Sequence, residues 1–312
     1  MKGADDMTTL AKQNNDKSSA WTRFRSWARY EGFTTHIVMI IVLLIIFIPV
    51  IWLVMTTFKD RLEFATNSGS LIPSKWSLVN YQYMFTAVEN LPIYMRNSFI
   101  LAFGTTALQV FVSSLAGYAF ARLKFRFRDL IFLLLIFSMF IPRANNLMSL
   151  YELFVFLKLR NTLLGLVLLF SSGVIVPIFI MRQTFSGVPK ELEEAALIDG
   201  ANWFQVFWKV ALPLASGGMV VIATLSFIGV WADYLTTYTL VDRDAQMTIS
   251  VGINKILATS YEAALSPRFR GQFAGEAADA TALVFAAFPV VIFYAALQRW
   301  FMKGLTEGAI KF

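Results

Sequence analysis

Long uncharged runs alternate with short charged ones along most of the 312 residues. The first apolar run is Ile37–Phe58, bounded by His36 and Lys59, and the second is Asn97–Ala121, bounded by Arg96 and Arg122. The third extends from Leu130 to about Tyr151 and is interrupted by Pro142-Arg143; the fourth is Asn161–Met181, between Arg160 and Arg182. The fifth covers about Leu214–Ala232 and the sixth about Ala280–Gln298. A helix needs about 20 residues to cross the hydrocarbon of a bilayer, and these runs are close to that length. Helix is predicted throughout, because lipid-facing backbone must satisfy its own hydrogen bonds. The alternation expected of a membrane barrel is absent. The predicted fold class is all-α, a polytopic membrane protein with six transmembrane helices.

Composition agrees with the pattern. The chain is 57% hydrophobic and 15% charged, against about 45–50% and about 25% for soluble domains. It has no cysteine, which excludes disulfides, thiolate metal sites and a cysteine nucleophile. The one histidine, His36, stands where a polar tail meets the first run and is read as an interfacial residue. The net charge of +7 is read as orienting the chain in a membrane, not as a nucleic-acid surface. The short loop Arg122–Arg128 carries Arg122, Lys124, Arg126 and Arg128, and the tail adds Lys2, Lys12, Lys17, Arg23, Arg25 and Arg29. The segments at about 59–96, 152–160 and 233–279 are nearly balanced in charge. Both termini are therefore expected in the cytoplasm.

Residues 1–36 read as a cytoplasmic tail and 37–312 as the membrane domain. In the tail Trp21, Phe24, Trp27 and Tyr30 recur at three-residue spacing among arginines, which suits a helix lying on the membrane surface. No cleavable signal peptide is expected, since the first apolar run is too long for one. The segment 59–96, with its Pro73 turn and Trp76, Tyr81, Tyr83 and Phe85, is expected to form short helices outside the membrane. The segment 233–279 is expected to be a long external loop. It holds Asp242-Arg-Asp244 and then Pro267, Arg268, Phe269 and Arg270 ahead of Gly271, residues suited to a loop tip.

The stretch 185–213 is the charged island between the fourth and fifth runs. Pro189 and the acids Glu191, Glu193 and Glu194 suit the first turn of a helix. Leu192, Ala195, Ala196 and Ile198 give that helix an apolar side. Asp199-Gly200 breaks it, and glycine supplies the turn. A second helix from about Ala201 is expected to carry Trp203, Val206, Phe207 and Val210 on one face. Ala195 and Ala196 leave room for close approach of another surface, and Trp203 and Phe207 are candidate aromatic anchors for it.

Glu194-Ala195-Ala196, three residues, Gly200, nine residues, Val210, one residue, Leu212-Pro213 resembles the signature of permease subunits of binding-protein-dependent ABC importers. The family's usual isoleucine is Val210 here, a conservative departure. Asn80-Tyr81 after Trp76, Arg96-Asn97-Ser98, Gly117-Tyr118-Ala119-Phe120-Ala121-Arg122, Asn161-Thr162 with Gly165, and the C-terminal Gln298-Arg299-Trp300, Gly304-Leu305 and Gly308-Ala309 are similar to the maltose-transporter type of sugar permease. The resemblance covers nearly the whole chain. It implies the type I permease fold, half of a channel completed by a second, similar permease, two cytoplasmic ATPase subunits and an external solute-binding protein. ATP-Mg would be bound by those ATPase subunits and no cofactor by this chain; the bacterial inner membrane is the implied location. The resemblance also places the first helix of 185–213 in a cleft of the ATPase, with Glu194 facing it and Glu193, Ala195, Ala196, Asp199, Gly200, Trp203 and Phe207 completing the expected docking surface, and makes about Asp242–Phe273 a scoop reaching into the binding protein. It brings the tail Thr306–Phe312 to the ATPase pair.

The sequence contains no G-x-x-x-x-G-K-[ST] phosphate loop, so ATP hydrolysis is not expected of this chain. No paired carboxylates or histidine cluster suggests an enzyme. An ion-coupled secondary transporter is the rival of a different class, and the matched broken helices it would need are not evident. Another solute, such as a glycerophosphodiester, polyamine or amino acid, is a rival within the class.

Polar groups inside apolar runs are costly and mark candidate pathway positions. Gln109, Arg143, Asn145, Asn146, Asp233 and Tyr234 are the candidates for a substrate pathway. The hydroxyls of Thr105, Thr106, Ser113 and Ser114 are read first as helix-packing groups. Arg143 lies about 20 Å past Leu130 along a helix. It needs a partner, a water-filled cavity or a snorkelling path; the candidate partners are an acidic group such as Glu152 or Asp233, or a carboxylate on the substrate, which would make the cargo a uronic-acid oligosaccharide.

Overall fold

The computed structural model describes residues 33–141, 146–269 and 271–309. The described elements are helical, and the chain divides into two compact units, the first through Met55 together with Gly69–Ile72 and the second from Thr56 to Ser68 and from Pro73 on. Helix α1, Phe33–Thr56, supplies the described helical part of the first unit. Its side chains from Thr35 to Ile51 are exposed. An isoleucine- and leucine-rich surface of that length is matched to hydrocarbon, not water.

The second unit carries the rest of the helices. Two short ones, α2 (Arg61–Asn67) and α3 (Val79–Ala87), occupy the segment read as short helices. Asp60 caps α2 by accepting from the Glu63 amide at 2.9 Å, and Glu63 in turn accepts from the Ser74 amide at 2.8 Å. That backbone donor holds the Glu63 carboxyl below the ordinary range. Helix α4 (Leu91–Arg122) is the long spine, unbroken for 32 residues, and begins six residues before the predicted start at Asn97. Helices α5 (Arg128–Ser138) and α6 (Leu147–Phe156) follow. Then come α7 (Leu163–Ser171) and α8 (Ile175–Gly187), bent by 48° at Ser172–Val174. The charged island gives α9 (Lys190–Ile198) and α10 (Trp203–Leu214); α11 (Ser216–Trp231) leaves α10 at 72°.

The count of six spans is not reproduced as six continuous helices. Among the described residues three helices are long and apolar enough to cross a membrane, and five spans result if each bent pair is one. The third run is divided into α5 and α6, each too short alone, and Pro142 between them lies outside the described residues; where a proline does fall within a described run, it cannot donate the helical N–H and clashes with the preceding turn. The fourth run bends at 172–174, in the turn ahead of Pro177, for that reason; the fifth run is the single helix α11, and the 72° break at Ala215 separates it from the charged island. The tail helix at 21–30, Arg143, Asn145, Arg270 and residues 310–312 lie outside the described residues.

The segment 233–279, expected as an external connection, is mostly helical: α12 (Leu235–Leu240), a 3-10 turn at Asp244–Gln246, and α13 (Ile249–Leu265). Ile249, Ile253, Ile256, Ser260 and Ala264 are buried, spaced four, three, four and four residues apart, the stripe of an amphipathic helix. They pack α13 against α14 (Gly275–Ala309) and α4. One core cluster joins Tyr83, Tyr94, Leu101, Phe227, Trp231, Ile249 and Phe273; a second joins Tyr118, Met181, Phe185, Phe207 and Ile222. At the second, α4 meets α8 so closely that a Cβ on Gly117 would lie 2.5 Å from the Met181 Cβ.

Candidate functional site: the α9–α10 hairpin and the cavity beside α4

Local sequence dictates the hairpin. Glu191 and Glu193 occupy the first turn of α9, where the helix end is positive. At its other end the Gly200 amide donates to Leu197 O at 3.1 Å and the Ala201 amide to Ala196 O at 3.0 Å. Those paired bonds form a Schellman cap, which needs a left-handed residue after the helix; Gly200 supplies it at φ 88°. Asn202 then starts α10. Its Oδ1 accepts from the Gln205 amide at 2.9 Å, and Gln205 Oε1 accepts from the Asn202 amide at 2.9 Å. This reciprocal capping box closes the turn within four residues.

Two side chains expected on the outer docking surface turn inward instead. Glu193 is buried: Oε1 accepts from Arg122 Nε at 2.7 Å and Oε2 from the Tyr118 hydroxyl at 3.0 Å. Arg122 Nη2 also donates to Val188 O at 2.6 Å. The two charged side chains are only 6% and 5% exposed. A carboxylate so placed is satisfied within this chain and is not free to meet another. Phe207 is buried as well, its ring 5.1 Å from Tyr118 and 6.3 Å from Phe185. It anchors the hairpin to its own protein rather than to a partner.

The remaining expected positions face outward. Glu194, Ala195, Asp199, Gly200 and Trp203 are exposed and Ala196 is half-buried. Around them stand Leu192, Ile198 and Phe204, with Ile198 at 86% and Phe204 at 68% exposure. Phe204 lies outside the expected docking set. Its position next to Trp203, outside the stripe of Val206 and Phe207, was the available signal. Leu192 and Ile198 were read as an apolar side of α9; the structure leaves that side uncovered.

A cavity of about 260 Å³ lies between α4, the α7–α8 bend and α11. Gln109, Gly173, Pro177, Ser226 and Asp233 are among its lining residues. Gln109 is buried, with Nε2 donating to Phe170 O at 2.7 Å and to Gly173 O at 3.4 Å, while its Oε1 accepts from the Ser226 hydroxyl. The reason is local. In a continuous helix the residue at 177 would donate to Gly173 O; Pro177 has no N–H, and Gln109 takes its place. Asp233 reaches the same cavity, but its carboxylate accepts from the Thr237 amide at 3.0 Å and from the Thr236 hydroxyl at 2.9 Å, capping α12. Tyr234 stacks on Tyr238 at 5.3 Å and Asn146 is an exposed residue at the start of α6; neither lines the cavity. Of the expected pathway group, the fold therefore brings together Gln109 and Asp233.

In the segment expected to meet a binding protein, Pro267 and Arg268 are exposed. Phe269 turns in, edge-on to Tyr83 at 5.6 Å and to Phe273 at 5.7 Å. The same burial pushes the Tyr83 phenol up. Phe269 is thus part of the packing under the tip, not of its outer surface. The described residues hold no group of three or more His, Cys, Asp or Glu that could bind a metal.

The family described as binding-protein-dependent transport system inner membrane component matches residues 109–307. The maltose/maltodextrin transport system permease protein MalG of Vibrio vulnificus is 32% identical over 303 residues, covering 91% of this chain and 97% of that protein. The sulfoquinovosyl glycerol transport system permease protein SmoH of Agrobacterium fabrum is 30% identical over 265 residues, covering 84% and 88%. A crystal structure of a bacterial ABC transporter involved in the import of the acidic polysaccharide alginate shares the fold, with a TM-score of 0.78 at 20% identity over 88% of this chain and 97% of the other. The matched region runs from Gln109 through the α9–α10 hairpin and into α14, so the hairpin and most of the cavity lie within it. The chain belongs to the inner-membrane permease components of binding-protein-dependent ABC transporters, a transport subunit and not an enzyme.

Proposed function

We propose that this chain forms half of the translocation channel of an ATP-driven carbohydrate importer, and that a separate ATPase subunit drives it through the outer face of the α9–α10 hairpin. The observation that carries the proposal is the hairpin's division of labour. Its inner face, Glu193 and Phe207, is locked to α4 and α8. Its outer face presents Leu192, Ile198, Trp203 and Phe204 with Glu194 beside them. A cluster of exposed apolar side chains on a rigidly held turn marks a contact surface, and large aromatics make the strongest anchors. The lysines and arginines of Arg122–Arg128 support a cytoplasmic position for this end of α4. A second permease completes the channel, and ATP-Mg binds on the ATPase subunits.

Carbohydrate is the cargo class supported by the relatives, whose names specify maltose/maltodextrin and sulfoquinovosyl glycerol. The finer reading, an acidic oligosaccharide, rests on Arg143 within the third apolar run, where an anionic group on the cargo would offset the cost of placing the charge there. Asp233 is already engaged by Thr236 and Thr237, which weakens it as a partner for Arg143. Uptake of acidic and neutral oligosaccharides by an R143Q transporter tests this. Selective loss of the acidic one supports the reading, and equal loss or no loss refutes it. For the docking surface, E194K is expected to release the ATPase subunits from the purified permease; their full retention counts against the assignment.

A further inference from the structure

The link between the hairpin and the membrane helices is concentrated at one charged contact. Tyr118 and Arg122 lie four residues apart on α4, one turn of helix, and so project from one face. Both oxygens of Glu193 on α9 are taken by these two side chains. Arg122 also holds Val188 O at the end of α8. The Tyr118 ring packs between Phe185 of α8, at 5.3 Å, and Phe207 of α10, at 5.1 Å. Four helices therefore meet at two consecutive turns of α4.

Such a contact is a poor way to gain stability. Desolvating an ion pair costs about as much as the attraction returns, and apolar replacements are often equally stable. What a satisfied buried pair supplies is direction. The guanidinium fork and the carboxylate allow one relative orientation of their helices. From Tyr118 the spine continues without a proline for nine residues to Gln109, about 14 Å at the helical rise. There it grips Phe170 O and Gly173 O at the α7–α8 bend and accepts from Ser226 of α11. A displacement of α9 thus has a stiff route to the wall of the cavity.

We propose that Tyr118, Arg122 and Glu193 form a transmission strut that converts movement of the docking hairpin into movement of α4 and so into a change of the cavity beside Gln109. These are positioning residues. They touch neither ATP nor cargo, and their role rests on the docking reading above.

The natural absence of cysteine gives a clean readout that needs no knowledge of the cargo. Val176 lines the cavity and is 44% exposed. The full transporter, with its partner permease and ATPase subunits in nanodiscs, carries V176C as this chain's single cysteine. Alkylation of that cysteine by a water-soluble maleimide is timed with and without ATP-Mg and vanadate. The parent is expected to change its alkylation rate on adding nucleotide. E193Q is expected to keep its ATPase subunits while the nucleotide-dependent change shrinks about tenfold, within the range for coupling between distant sites. Y118F is expected to lie between the two, and Y118F/E193Q to match E193Q alone, because both act through one carboxylate. A full nucleotide response in E193Q overturns the strut. Loss of the ATPase subunits from E193Q also overturns it, since the contact would then serve assembly. Should E193Q fail to accumulate, Y118F, which removes one hydroxyl, carries the test: an undiminished response refutes the proposal. A parent that shows no nucleotide response, or retains no ATPase, refutes the docking reading itself and the strut with it.

Discussion

Replacing Gln109 with leucine tests how the broken fourth span is held. Leucine has nearly the same size and keeps the apolar contacts, but it deletes every polar atom at the meeting point of α4, α7–α8 and α11. The consequences differ by atom. Phe170 O keeps a donor, the Gly173 amide at 3.1 Å. Gly173 O has no helical donor because residue 177 is proline. The Ser226 hydroxyl loses its acceptor. An unsatisfied buried polar group costs about 1–3 kcal/mol in soluble proteins, while measured hydrogen bonds between membrane helices average about 0.6 kcal/mol. With one carbonyl orphaned and one hydroxyl left to bond back within its own helix, the lower figure governs one and the higher the other. Q109L is therefore expected to destabilise by about 1.6–3.6 kcal/mol. At about 2–4 °C per kcal/mol for a domain of this size, the melting midpoint falls by roughly 3–14 °C. Tryptophan-fluorescence melting of the purified protein in detergent reads this, with Q109L/S226A as the control. Because Ser226 depends on Gln109, the double variant is expected to cost less than the sum of the singles. A Q109L midpoint at or above that of the natural chain, or strictly additive losses, refutes the reasoning.

The hairpin's two faces separate in the same assay. F207A removes a buried ring and is expected to lower the melting midpoint by the equivalent of about 3–5 kcal/mol, whereas W203A, at an exposed site, leaves the midpoint unchanged and weakens retention of the ATPase subunits in co-purification. N202A removes the capping box between α9 and α10 and is expected to cost about 1 kcal/mol, read as a shift of the melting midpoint. G117V must displace the α8 backbone, since even its Cβ would lie 2.9 Å from the Arg182 nitrogen. Overpacking of that kind costs about 1–3 kcal/mol or more, and expression with size-exclusion profile shows it as loss of the monodisperse peak.

What the amino-acid pattern reveals and what it hides follow from where each signal resides. The apolar runs are legible because burial in lipid demands length and composition, and α1, α4 and α14 obey it. The helix–turn–helix of 185–213 is legible because Pro189, the early acids and Gly200 each act within a turn of themselves. The direction in which Glu193 and Phe207 point was not legible. Their fate depends on Tyr118, Arg122 and Phe185, residues up to 89 positions away in the chain. The α7–α8 bend was signalled by Pro177 but concealed by continuous hydrophobicity, whereas Leu212-Pro213 marks the α10–α11 joint openly in the sequence. Helix α13 is legible only in period: its stripe at Ile249, Ile253, Ile256, Ser260 and Ala264 is helical in spacing, but its moderate polarity hides it when membrane length is the criterion.

The central claim is that a separate ATPase bears on the outer face of the hairpin. Its most direct test is a photoreactive benzoylphenylalanine placed at Phe204, which is 68% exposed beside Trp203. Irradiation of membranes containing the whole transporter, followed by mass spectrometry of the adduct, is predicted to yield a crosslink between this chain and a nucleotide-binding subunit, strengthened or weakened by ATP-Mg. Adducts only to lipid or within this chain would contradict the account.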